Sequence, residues 1–156
     1  MDSNFAGRLN ILRAGVLDAN DGIISIAGVV IGVASATTNI WIIFLSGFTA
    51  ILAGAFSMAG GEYVSVSTPK DTEEAAVSSF VAFFLRSLPP MLSVTIFPSD
   101  YRIPATVLIV GVALLLTGYT SARLGKAPTK TAMIRNLAIG LLTMGVTFLL
   151  EQLFSI

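Results

Sequence analysis

The chain has 156 residues, 54% hydrophobic and 12% charged, with mean hydropathy +0.86, where a soluble domain carries about 25% charged residues; this is the composition of an integral membrane protein. Nine basic residues balance nine acidic ones, so there is no basic surface for nucleic acid. Cys and His are both absent, which removes disulfides, thiolate nucleophiles, imidazole bases and the commonest soft-metal ligands; with no nucleophile elbow or phosphate loop either, an enzyme is the least expected class.

The opening MDSNFAGRLNILR places acidic and polar residues before the apolar run, and that run is longer than a cleaved signal, so the first span is expected to be retained. Residues 22–61 hold no charge over 40 positions, about 60 Å as helix, too long for one crossing of a roughly 30 Å hydrocarbon core. The segment must fold back. Thr37-Thr38-Asn39 is polar and poor in helix propensity, and predicts a tight hairpin between helices over 14–36 and 40–67.

Thr68-Pro69-Lys70-Asp71-Thr72-Glu73-Glu74 is the densest charge in the chain and reads as a water-exposed loop. Residues 75–97 form a third span, interrupted by Arg86 and by Pro89-Pro90, a pair that removes two backbone donors and should kink or break the helix. A loop through Arg102 leads to a fourth span at 103–122, and a basic loop with Gly125 and Pro128 leads to a fifth at 133–154. The expected fold is all-α: one compact domain over 1–156, a membrane bundle of five helices.

With five spans, Arg8, Arg13, Lys70, Arg123, Lys126, Lys130 and Arg135 fall on one side and only Arg102 on the other. That asymmetry predicts a cytoplasmic N-terminus, with the C-terminus opposite, in a multi-pass protein of the cell membrane.

Stepping by four and three along the first helix gives Ala14, Asp18, Asp21, Ser25, Gly28, Gly32 and Ser35, a stripe of small or acidic residues. In lipid, apolar burial gives no net drive between helices, so close packing falls to small residues, and Gly28-x-x-x-Gly32 has the spacing of such a seam. Ser25, Gly28 and Gly32 are therefore expected at a homodimer interface, with packing inside one chain as the competing reading. An acid inside a membrane span is costly and usually functional, and Asp18 and Asp21 share this seam.

The second helix ends in AGAFSMAGGEYVSVS, where Met58 and Glu62 are four apart and share a face. Its end and the start of the first helix lie toward the same membrane side. Carboxylates with a thioether, without Cys or His, suit a divalent ion of intermediate hardness, Fe²⁺ or Mn²⁺, better than Mg²⁺ or Ca²⁺. Asp21, Met58, Glu62 and Asp18 are the candidate metal ligands. One chain offers too few for an octahedral ion, which again favours a two-fold pairing.

At ANDGIIS and AGAFSMAGGEYVSVSTPKDTEEA the sequence resembles the vacuolar iron transporter family in its bacterial branch. The likeness covers nearly the whole chain. It implies a five-helix homodimer with a metal path between protomers, moving Fe²⁺, and often Mn²⁺, out of the cytoplasm in exchange for protons, with Asp21 and Met58 matching the transport site. Many members insert a cytoplasmic metal-binding domain between helices two and three; here Glu74 runs directly into Ala75-Ala76-Val77. Eukaryotic members carry acids where this chain has Ala14 and Ala50, and Asp18 stands where a small residue is expected. Without the inserted domain, metal capture would rest on Asp71, Glu73 and Glu74 or on a separate delivery protein. The competing functions are a non-transporting membrane scaffold or regulatory subunit, and a proton-coupled exporter of small organic cations, which would want an aromatic-lined cavity.

Overall fold

A computed structural model describes residues 3–65 and 69–154, with side chains from 20–65 and 72–154. Five helices follow one another: α1 Ser3–Ala36, α2 Ile40–Ser65, α3 Pro69–Ile96, α4 Ser99–Gly125 and α5 Thr129–Phe154. No strand occurs among the described residues. Ile40–Ser65, Thr72–Ile96, Ser99–Gly125 and Thr129–Phe154 are each long and apolar enough to cross a membrane, whereas the apolar stretch Asn20–Ala36 of α1 is shorter. The molecule is a helical membrane bundle.

The turns follow local chemistry. Between α1 and α2, Thr37 Oγ1 accepts from the Asn39 N–H at 3.2 Å, and Asn39 Oδ1 accepts from the Trp41 N–H at 3.0 Å; an Asn in this position supplies an acceptor for a free N–H of the first turn. Arg102, at the start of α4, is buried, and its Nη1 donates to the Thr38 carbonyl at 3.5 Å, placing a cation at the carbonyl end of α1. At the end of α4 the left-handed residue is Lys126, with φ 52°, not the neighbouring Gly125.

Four expected helix starts shift. α1 begins at Ser3, not at 14. α3 begins at Pro69, not at 75, so Asp71, Glu73 and Glu74 lie in the opening turns of a helix rather than in a loop. A proline at the first helical position lacks only an N–H that would be free anyway, and acids in the first turn complement the helix dipole. α4 begins at Ser99 and α5 at Thr129, each starting before the expected 103 and 133 and directly after Pro98 and Pro128. Nor does Pro89-Pro90 break α3, which runs unbroken through both prolines. Pro90 is fully buried, and the Ser93 hydroxyl donates to its carbonyl at 2.9 Å.

α1 is the central helix. It packs on all four others, while contacts among those four run only α2 to α3, α3 to α4 and α4 to α5. Among the described residues α2 and α5 do not touch, so the ring around α1 is open on one side. A helix apolar on most faces is one that belongs inside, and α1 feeds two cores. Ile26 and Val30 join Ile43, Ile51 and Ala55 of α2 and Phe83, Met91 and Val94 of α3. Ile23, Ile24, Ala27 and Ile31 join Val110 and Leu114 of α4 and Met144 of α5.

Polar side chains stitch the seams. Ser87 Oγ donates to the Phe83 carbonyl at 2.7 Å and reaches the Gly22 carbonyl of α1 at 3.3 Å. Ser93 Oγ donates to Thr106 Oγ1 across the α3–α4 seam at 3.0 Å. Outward, Trp41, Phe56, Val77, Leu85, Leu108, Leu116, Leu142 and Leu149 are exposed, the reverse of a soluble surface and suited to hydrocarbon.

Candidate functional site

Asp21, Ser25 and Val29 lie on the face of α1 that neither apolar core covers, and each is only part-buried. The Ser25 hydroxyl donates to Asp21 Oδ1 at 3.0 Å; this is the single hydrogen bond of the Asp21 side chain among the described residues. One position earlier, Asn20 Oδ1 is buried without a hydrogen-bond partner. Position 22 must be small, because a Cβ on Gly22 would stand 2.7 Å from the Phe83 carbonyl oxygen. The acid thus stands one position before a close approach of α1 to α3.

On α2 the buried residues Ile43, Gly47, Ile51 and Ala55 recur every fourth position. Met58 and Glu62 continue that line at helical spacing and are part-buried. Met58 packs against the apolar core shared by α1, α2 and α3. The Glu62 carboxylate has no hydrogen bond or ion pair among the described residues; only its carbonyl accepts, from the Ser65 hydroxyl at 3.2 Å. Beside them, a Cβ added at Gly60 or Gly61 would meet no atom of the described residues within 4 Å.

The side chains of Asp18 and Asp71 lie outside the described residues. Glu73 and Glu74 are exposed on α3. Among the described residues no group of three or more Asp or Glu side chains gathers so as to hold a metal ion. A single chain therefore presents Asp21, Met58 and Glu62 on α1 and α2 without closing them into a cage.

Within one chain, two positions of the small-residue stripe pack as the competing reading has it. Gly28 and Gly32 are buried within the chain itself. A Cβ on Gly28 would lie 3.0 Å from Thr143 Cγ2 and 3.5 Å from Thr147 Cγ2, and one on Gly32 would lie 3.5 Å from Thr147 Cβ and 3.4 Å from Glu151 Cγ. These two glycines face α5 of the same chain. The partner numbering rises together along both helices, so α1 and α5 run parallel. Ser25 alone of the three expected interface residues remains beside the opening.

Glu151 is the residue that sequence reasoning passed over. It is the sole acid after Asp100, it is part-buried, and it has no hydrogen bond or ion pair among the described residues. The available signal was the spacing of Thr143, Thr147 and Glu151, which places them on one face of the last helix.

Comparison with known proteins identifies the family. A model of the VIT family matches residues 12–77 and 73–152, two stretches that meet at the start of α3, where the sequence has no inserted domain. "Vacuolar iron transporter homolog 1" of Arabidopsis thaliana is 38% identical, covering 97% of this chain and 87% of the relative. "Vacuolar iron transporter homolog 5" of Oryza sativa subsp. japonica is 35% identical over 97% and 84%. "VIT-like transporter 1b" of Glycine max is 30% identical over 97% and 80%. With both halves of the bundle matched and these relatives aligned almost end to end, the chain belongs to the VIT family.

Proposed function

We propose that this protein transports iron as Fe²⁺, and also Mn²⁺, out of the cytoplasm in exchange for protons, as a homodimer in the cell membrane. The observation that carries the reading is the placement of Asp21: a part-buried carboxylate on the central helix, bonded among the described residues only to Ser25, on the face of α1 that neither apolar core covers. An acid held at such a depth is costly unless it serves an ion or a proton. The names of the relatives supply the metal.

In the mechanism, deprotonated Asp21 and Glu62 attract the divalent ion from the cytoplasm, and the Met58 thioether favours Fe²⁺ or Mn²⁺ over harder ions. Protonation of the carboxylates from the far side removes the charge that holds the ion and releases it. Two copies meeting along their open sides would double the donor set that one chain leaves incomplete. Asp18 is an added acid for that set. The bias of basic residues puts the N-terminus in the cytoplasm. Metal reaches the site from Glu73 and Glu74 with Asp71, or from a separate delivery protein.

Proteoliposome uptake of Fe²⁺ and Mn²⁺ under a proton gradient tests this. The natural chain should carry both ions; Asp21→Ala should abolish the flux and Met58→Ala should reduce it several-fold. Equal flux in all three sinks the site. No flux in the natural chain, with Asp21→Asn disturbing only assembly, supports a scaffold instead. Flux that persists unchanged without a proton gradient removes the antiport step.

A further inference from the structure

We infer that Glu151 is a second carboxylate station for the transported cation, at the end of the α1–α5 seam opposite Asp21. This rests on the transport reading above.

Gly32 lies eleven residues beyond Asp21 on α1, about 16 Å along the axis, or half the hydrocarbon thickness. Asp21, Ser25, Gly28 and Gly32 share one face, and Glu151 stands across from Gly32 with its Cγ 3.4 Å from the Cβ position. A Cβ at position 32 would be in ordinary contact with the Glu151 stem, so that stem lies directly against the central helix there. With its stem against α1 and part-buried, Glu151 differs from Glu73 and Glu74, which are exposed on α3.

The chemistry between the two acids favours a cation. Thr147 Oγ1, 3.9 Å from the Gly28 Cβ position, is within donating distance of its own helix's carbonyls, those of Thr143 and Met144, at 3.1 Å. Ser25 spends its proton on Asp21. With its single proton committed, each hydroxyl oxygen offers only acceptor capacity to anything entering the seam. An anion finds no free donor among these groups. A divalent cation finds a carboxylate at each end and hydroxyl oxygens between. On α5 the nearest methionine, Met144, is seven residues before Glu151 and buried in an apolar core, so this end holds an intermediate ion less tightly than the Met58 end and suits release.

The experiment uses the full chain, which has no cysteine, with Glu151→Cys modified in detergent before reconstitution. One sample receives a sulfonatoethyl methanethiosulfonate, which restores a negative charge; the other receives the trimethylammonium reagent, of similar size and positive. Mn²⁺ flux should be lower by roughly tenfold with the positive group, while Mn²⁺ binding at the Asp21 end, measured in detergent, stays within about twofold of the unmodified variant. Glu151→Gln should lower flux in the same way, and Glu151→Asp should recover part of it. Equal flux from the two modified samples overturns the inference, because a structural role responds to size and not to the sign of charge. A loss of Mn²⁺ binding equal to the loss of flux also overturns it, since Glu151 would then act through the first site. If unmodified natural chain carries no metal, the transport reading fails and the inference falls with it; if it carries metal while the Glu151 variants match it, only the inference falls.

Discussion

The central helix uses glycine against two parallel neighbours in two different ways. On the α3 side, a Cβ at Gly22 would meet the backbone itself, at 2.7 Å from the Phe83 carbonyl, and Ser87 reaches across to the Gly22 carbonyl. On the α5 side, Gly28 and Gly32 meet side chains at 3.0 to 3.5 Å, and no hydrogen bond crosses that seam among the described residues; Thr143 and Thr147 instead bond carbonyls of their own helix. The first seam is a backbone-to-backbone contact that holds the bundle. The second is padded by methyl groups, carries unspent oxygens, and ends in an acid with no hydrogen bond or ion pair among the described residues. Close packing and the proposed ion handling thus occupy different faces of one helix, and glycine by itself does not announce which.

The largest effect that sharpens this contrast is expected at Gly22→Ala. Its new methyl meets a backbone oxygen that cannot turn aside, so α1 and α3 must separate, at a cost of about 3 kcal/mol; a marked fall in the detergent unfolding temperature checks it. Gly28→Ala meets only the Thr143 methyl, which can give, and should cost about 1 kcal/mol. Removing the interhelical bond with Ser87→Ala should cost about 0.6 kcal/mol by the average measured for such bonds in membranes. Gly32→Ala, where the nearest atoms are at ordinary contact distance, and Gly61→Ala, with no atom of the described residues within 4 Å of the new carbon, should stay within about 0.5 kcal/mol. If Gly32→Ala proves as damaging as Gly22→Ala, the two seams are not different in kind.

A covalent test separates the occupants of the stripe directly. Gly28→Cys combined with Thr143→Cys should oxidise to a bond within one chain, leaving the mass on a denaturing gel unchanged. A predominant band at twice the mass would place Gly28 against a second copy and move it from α5 to the dimer interface. The single variant Ser25→Cys, beside the open side, is the position from which a homodimer cross-link is expected.

Much of the architecture was legible from residue order. The charge-free run of residues 22–61 had to fold back, and Thr37-Thr38-Asn39 is where the chain does so, because Asn39 supplies its own cap. Helix starts fall earlier than charge alone suggests: Asp71 to Glu74, Arg102 and Lys130 all lie in helices. A helix leaving the bilayer keeps its hydrogen bonds, so charge marks the edge of the lipid and not the end of the helix. The Asp21 environment was half visible: its face and its neighbour Ser25 follow from helical spacing, but its distance from Met58 and Glu62 does not.

The sequence by itself determined that the chain lives in a membrane, that it is helical, and where its apolar segments turn, because hydrocarbon offers no partner to an open backbone and sets the length of each span. It also singled out Asp21 by the cost of an acid at that depth. Only the tertiary structure decided that α1 is central, that its ring of neighbours is open between α2 and α5, and that Gly28 and Gly32 belong to α5. The physical reason is that a stripe of small residues specifies closeness without specifying a partner. Van der Waals packing in lipid carries no address, and Glu151 acquires its place opposite Asp21 through the neighbour that α1 happens to accept.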